Sequence, residues 1–220
     1  ISFLTVWLVN DFRYTIEFST RTVLLSLPLA TCYPILLSIV SRHLSIKLRK
    51  RRELLEKQAL MDPGLDLPNR RFFEQKMESA FRATRKKRIH SYLMLIDVDN
   101  FKKINDTYGH EVGDAVLSRI STILRECAGE KDVPARFGGD ELAIIVNNSN
   151  SKLVIAMVDI IQEKIKDLSL PSHKDIYCTV SIGISCAENK ESIIEWIKEA
   201  DEMLYEVKRN GKNGYCMPNN

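Results

Sequence analysis

Ser91 to Asp99 reads SYLMLIDVD, five apolar residues in succession before two acids. A run with no polar face at its start is expected to be a central strand, covered on both sides. Downstream, Val116, Leu117, Ile120, Ile123, Leu124 and Cys127 recur at helical spacing. VPARF (Val133–Phe137) and ELAIIV (Glu141–Val146) read as strands on either side of two glycines, the signature of a tight hairpin. Leu153, Val154, Met157, Ile160, Ile161 and Ile165 predict another helix. IYCTVSIGIS (Ile176–Ser185) alternates as a strand does, and Ile193, Ile194, Ile197, Ala200, Leu204 and Val207 predict a closing helix. Ahead of the first strand, Asn69 is placed to cap a helix whose apolar face is Phe73, Met77, Ala80 and Phe81. Flanking helices aside, the order is β-α-β-β-α-β, so the expected fold class is α+β with a ferredoxin-like core.

The upstream third has a different texture. Thr22 to Ser41 is twenty residues without a charge, the length that crosses a bilayer as a helix. Pro28 and Pro34 are better tolerated in a membrane helix than in a soluble one. The competing assignment is a buried core helix. The next residues, RHLSIKLRKRR, carry Arg42, Lys47, Arg49, Lys50, Arg51 and Arg52 and no acid. That basic flank favours the membrane assignment and sets the C-terminal side in the cytoplasm. The charge lies on the wrong side of the apolar run for a signal peptide. Ile1 to Val9 then reads as the tail of a preceding span, with NDFRYTIEFSTR as a short outside loop. Leu44, Leu48 and Leu55 fit either a short coiled-coil stalk or a solvated linker helix. The expected organisation is a membrane region over 1–41, a basic helical linker over 42–60 and a cytosolic domain over 61–217.

Composition adds limits. The 220 residues are 45% hydrophobic and 28% charged, as in a globular protein, and a net charge of +3 is too small to argue for a nucleic-acid partner. Cys32, Cys127, Cys178, Cys186 and Cys216 form no CxxC pair. An odd, scattered set argues against a disulfide framework or a zinc site, and reads as reduced thiols. A chain that starts at Ile1 is expected to be part of something longer.

The chemistry gathers around RFGGDELAIIV. A solvated hairpin tip explains the glycines and acids. That reading is the commoner one for such a turn; the sharper alternative is a metal or phosphate site, since glycine lets a ligand approach the backbone and carboxylates hold a cation. In a ferredoxin-like sheet the first strand lies beside this hairpin. Asp97 and Asp99 would then meet Asp140 and Glu141 at one edge, although 97 and 140 are 43 positions apart. Carboxylates held that close repel unless a cation lies between them, and oxygen-only ligands suit Mg²⁺. The following NFKKINDTYGHEVGD is polar and turn-rich and ends at a helix start. Its backbone N–H groups and Lys102 offer phosphate contacts. Asn105 and Asp114 offer an amide and a carboxylate to guanine, or Asp114 is simply an acid at a helix N-terminus. Lys208 and Lys212 are either partners of a helix C-terminus or phosphate ligands.

MDPGLDLPNRR, LIDVDNFKKINDTYGHEVGD, RFGGDEL, TVSIGIS and ADEMLYEVKRNGKNG together resemble, in order and spacing, the motifs of the GGDEF diguanylate cyclases. The resemblance covers Met61 to about Tyr215. It implies a polymerase-palm-like domain that condenses two GTP into cyclic di-GMP and two pyrophosphates as a homodimer, in bacterial second-messenger signalling. It implies Mg²⁺, with Mn²⁺ the alternative ion, held by Asp97, the Val98 carbonyl and Asp140. Glu141 would assist with the metal or act on the attacking 3′-hydroxyl. Asn105 and Asp114 would read guanine, and Lys102, Lys208 and Lys212 would bind phosphates, with N–H groups near Phe101. Gly138 and Gly139 would let the nucleotide lie against the hairpin. With the upstream span, the expected location is the bacterial inner membrane, the catalytic domain facing the cytoplasm. The chain departs from the pattern at four places, one of them Lys212, where many members have Arg. Leu142 stands where the family has Phe. Gly64-Leu65-Asp66 stands where Leu-Thr-Gly is usual. Gly129 stands where the product-inhibition motif has Arg, with Asp132 kept, so inhibition at that site is expected to be absent.

Overall fold

The computed structural model describes residues 2–8, 12–18, 20–58, 60–87, 89–170 and 176–218, with side chains described over 32–51, 60–86, 89–170 and 176–218. The chain divides into two compact units, Ile1–Glu56 and Lys57–Asn220.

In the first unit, β1 (Ser2–Leu8) pairs antiparallel with β2 (Phe12–Phe18), and α1 runs over Thr20–Gln58. This corrects the reading of the first nine residues as the tail of a span and the next twelve as a loop. SFLTVWL and FRYTIEF are rich in the β-branched and aromatic residues that favour pairing strands. Among the described residues no helix is long and apolar enough to cross a membrane. The side chains of 22–31, half of the apolar segment assigned to a span, lie outside those described. Its second half shows Tyr33, Ile35, Leu36, Leu37, Ile39 and Val40 all exposed on α1.

The second unit is built on one five-stranded sheet. Its elements are α2 (Arg70–Lys87), β3 (Ser91–Val98), α3 (Phe101–Tyr108), α4 (His110–Cys127), β4 (Val133–Arg136), β5 (Glu141–Asn147), α5 (Ser151–Lys166), β6 (Val180–Cys186), α6 (Ile193–Arg209) and β7 (Gly214–Cys216). The strand order is β4-β5-β3-β6-β7. β3 lies between β5 and β6, antiparallel to both, which is the expected ferredoxin-like arrangement. β7 extends the edge, parallel to β6.

Period-two alternation divides the core between the two faces of the sheet. Met94, Ile96 and Val98 of β3 join Leu142, Ile144, Ile182 and Ile184 against α4 and α5. Leu93 and Leu95 face the other way, with Ala143, Ile145, and Phe73, Met77 and Trp196 of α2 and α6. Asn69 caps α2 as its position predicts, its side chain accepting from the Phe72 N–H at 3.1 Å. Gly183 lets α6 seat on β6, because a Cβ there would lie 2.1 Å from the Ala200 carbonyl oxygen and 2.4 Å from the Leu204 nitrogen. Backbone on both sides cannot yield cheaply. Gly183→Ala is therefore expected to cost about 2–3 kcal/mol, read as a lower urea midpoint. An unchanged midpoint would show that α6 has slack on the sheet.

Candidate active site

β3 and the β4–β5 hairpin bring the acids to one edge. The register sets Asp97 opposite Glu141 on one side and opposite Ser181 on the other. Asp140 precedes β5 at the hairpin tip. Burial holds the Asp97 carboxyl above the usual carboxylate range. Lys208 opposes this through a hydrogen bond and its charge, and Asp140 and Asp99 add to it by repulsion. The Lys208 Nζ lies 2.8 Å from Asp97 Oδ2, so the lysine expected to bind phosphate is here the counter-ion of an acid expected to bind metal. Because its folded-state pKa is raised, Asp97 favours folding most at low pH. That contribution falls as pH climbs from the ordinary carboxylate value to the raised one. Lys208→Met is expected to push the Asp97 carboxyl higher still, followed by carboxyl-carbon NMR titration; a fall would mean the ion pair is not formed in solution.

The two glycines do different things. A Cβ at Gly138 would lie 2.6 Å from Glu141 Oε2, so this glycine makes room for the acid that folds back over the turn. A Cβ at Gly139 would meet nothing within 4 Å. Open space therefore lies over Gly139 alone. The turn is fastened by the Phe137 and Gly138 N–H groups, both donating to the Glu141 carbonyl. Arg136 adds a clamp that the sequence reading passed over. Its guanidinium donates to the carbonyls of Gly138 and Gly139 and to both carboxylate oxygens of Asp62. Asp62 also accepts from the Gly64 and Leu65 N–H groups, so the opening MDPG loop and the hairpin are one assembly.

After β3 the polar run forms α3, a helix where only turns were expected. Ile104 is its one buried anchor, too little for a periodic signal. Asn100 precedes it with φ 56° and makes no side-chain cap bond, which leaves the N–H groups at Phe101 and Lys102 without one. Lys102 is exposed in that first turn and Phe101 half-buried against α4. Asn105 points at α4, where Gly113 receives it: a Cβ there would lie 1.8 Å from Asn105 Oδ1. That oxygen is buried and has no hydrogen-bond partner among the described residues. An orphaned buried acceptor costs about 1–3 kcal/mol, and a ligand N–H would satisfy it. Asp114, next to Gly113, is exposed. Lys212, at φ 66° beyond α6, donates to Asn100 Oδ1 at 2.7 Å.

Asp99 is structural. It is buried, and its carboxylate accepts from the Thr179 hydroxyl at 2.7 Å, the Ser181 hydroxyl at 2.7 Å and the Asn213 N–H at 3.0 Å. Asp66, at the position where glycine is usual, has φ 50°, a left-handed conformation that Asp tolerates, and its carboxylate pairs with Arg125 of α4. Asp132 is likewise occupied, accepting from the Gly129 and Asn147 N–H groups at 2.9 Å each.

A family model described as "Diguanylate cyclase, GGDEF domain" matches residues 59–214. The chain belongs to the GGDEF family. The probable diguanylate cyclase DgcC of Escherichia coli K12 is 33% identical over 190 residues, which are 86% of this chain and 51% of that protein. Diguanylate cyclase A of Treponema denticola is 38% identical over 133 residues, 58% of this chain and 35% of that one. The chain thus spans about half the length, or less, of these curated relatives. Among solved structures, the coiled coil and GGDEF domain of DgcB from Caulobacter crescentus, in complex with c-di-GMP, superposes with a TM-score of 0.77 at 26% identity. The match covers 84% of this chain and 99% of that one. Within this GGDEF domain the name-giving motif is Gly138-Gly139-Asp140-Glu141-Leu142. Leu142 is fully buried, an apolar side chain doing the packing that Phe would do.

Proposed function

We propose that this GGDEF domain condenses two GTP into cyclic di-GMP and two pyrophosphates, as a metal-dependent homodimer. The observation that carries the reading is the set of intact acids, Asp97, Asp140 and Glu141, where β3 meets the hairpin, together with the orphaned Asn105 oxygen on α3, the helix that follows β3. Asp97, Asp140 and the Val98 carbonyl form an oxygen-only set that suits Mg²⁺, with Mn²⁺ as the alternative. Such an ion supplies charge neutralisation at the phosphates and a lowered pKa for the attacking hydroxyl.

The chain's own groups do the rest. Asn105 Oδ1 and the Asp114 carboxylate accept from the guanine N–H groups. The α3 N-terminus at Phe101 and Lys102 receives phosphate oxygens, and Lys212 joins them. Lys208 exchanges its Asp97 partner for phosphate when nucleotide binds. Gly139 leaves room over the turn, and Gly138 lets Glu141 reach that space. The 3′-oxygen of one GTP bonds to the α-phosphorus of the other, and the bond from that phosphorus to the bridging oxygen breaks. Pyrophosphate leaves with the electron pair, and Glu141 takes the hydroxyl proton; the same step with the two nucleotides' roles exchanged closes the ring and releases the second pyrophosphate. Positioning and charge neutralisation supply most of the rate. One domain holds one GTP and the product joins two, so facing half-sites of a two-fold dimer complete the reaction. The uncharged run 22–41 with its basic flank supports a cytoplasmic-membrane anchor upstream.

The test is incubation of the chain with GTP and Mg²⁺, followed by chromatography. Cyclic di-GMP is the expected product; bound but unconverted GTP at high protein concentration would make the domain a nucleotide sensor. Product should not inhibit through the Gly129–Asp132 turn, where no guanidinium is present and both Asp132 oxygens are taken. Gly129→Arg is expected to introduce inhibition by cyclic di-GMP. Equal inhibition of parent and variant would place it elsewhere.

A further inference from the structure

At the end of β3 away from Asp97, three side chains of metal-ligating type converge. The register pairs Tyr92 with Cys186 and continues past the strand ends, where the Ala187 N–H donates to the Ser91 carbonyl at 2.9 Å. His90 lies just before β3 and Glu188 in the turn just after β6, beside the Tyr92–Cys186 pair. His90 Nδ1 lies 2.6 Å from Glu188 Oε2. One ligand atom from each of His90, Cys186 and Glu188 lies within 4.8 Å of the other two. Among the described residues no other three His, Cys, Asp or Glu side chains come together in this way, the acids of the hairpin edge included.

We propose that His90, Cys186 and Glu188 form a Zn²⁺ site whose fourth position is held by water. One imidazole nitrogen, one sulfur and one carboxylate oxygen are a mixed donor set that favours a borderline-soft ion, whereas Mg²⁺ takes oxygen alone. A tetrahedral Zn²⁺ holds such donors about 3.2–3.6 Å apart. Rotation of His90 and Glu188, each about half exposed, lets this pair part and turn both donors toward the sulfur. Cys186 is half-buried at the end of β6, directly opposite Tyr92 in the register. Binding forms the sulfur–zinc bond and releases the thiol proton to solvent, with no change of oxidation state. The ion ties the start of β3 to the end of β6, and β3 carries Asp97 at its other end. An ion that binds only the folded chain stabilises it by mass action.

Co²⁺ is the probe, because a thiolate ligand gives it an intense charge-transfer absorption that imidazole and carboxylate do not. The full chain, with Mg²⁺ present to fill oxygen-only sites, is expected to develop that band up to one equivalent of Co²⁺ and lose it to one equivalent of Zn²⁺. Cys186→Ser should abolish the band. His90→Gln, at a half-exposed position, should weaken Co²⁺ binding about tenfold or more. No band in the parent chain, a full band in Cys186→Ser, or unchanged affinity in His90→Gln would each overturn the site.

Discussion

Asp140→Ala is expected to lower the rate of cyclic di-GMP formation on the order of 10³-fold or more, the loss that follows removal of a group stabilising transition-state charge. The fold should not fall with it. Asp140 sits at the half-buried hairpin tip, while the turn is held by the Phe137 and Gly138 N–H groups and by the Arg136 guanidinium. Stability is expected to stay within about 0.5 kcal/mol of the parent, as for other surface changes. A second readout separates a lost ligand from a distorted turn. Asp140 repels the Asp97 carboxylate and helps raise its pKa. In Asp140→Ala the Asp97 carboxyl should therefore titrate lower than in the parent, with Lys208 still at its side. Product formation within tenfold of the parent would remove Asp140 from the mechanism, and lost activity with a shifted urea midpoint would assign it to the turn instead.

The elements that were legible in the sequence are those with many apolar positions. β3, β5 and β6 were readable because Met94, Ile96, Ile144, Ile182 and their neighbours alternate over both faces of the sheet. α2, α4, α5 and α6 each bury four or more residues at helical spacing. α3 was not readable, since eight residues with a single buried side chain carry no period. β7 was missed because three residues are too few, and its pairing with β6 is decided by the turn at Gly211–Asn213. At the site, the meeting of Asp97 with the hairpin followed from topology. What pairs there did not. Lys208 reaches Asp97 from a helix 111 positions away (208 to 97), and Arg136 reaches Asp62 across 74. The same limit hid the cluster at the far end of β3. His90, Cys186 and Glu188 have no ligand spacing in sequence, and only the register of β3 on β6 brings them together.

Asp99→Ala is expected to be the most destabilising single change near the site, about 3 kcal/mol. The carboxylate is buried and three donors end on it: the Thr179 hydroxyl just before β6, the Ser181 hydroxyl within it and one N–H of the turn after α6. Alanine leaves two buried hydroxyls and one part-buried N–H without their acceptor. Hydroxyls rotate and recover part of the loss, but the Asn213 N–H is fixed by the backbone and does not. The release also reaches the substrate side. Asn213 follows Lys212, whose ammonium is held at Asn100 beside the α3 N-terminus, so loosening the turn would move the lysine proposed to bind phosphate. GTP should bind more weakly even below the urea midpoint. Asp99→Asn keeps one acceptor oxygen and is expected to cost about half as much. Thr179→Val tests the assignment from the other side, because it removes a donor and leaves the acid with two. If Asp99 is the anchor, Thr179→Val costs less than Asp99→Ala and leaves GTP affinity near the parent value. Equal urea midpoints for Asp99→Ala and the parent would mean that water replaces the carboxylate. The turn carrying Lys212 would then owe its place to β7 pairing and to the Lys212 N–H bond to the Val207 carbonyl.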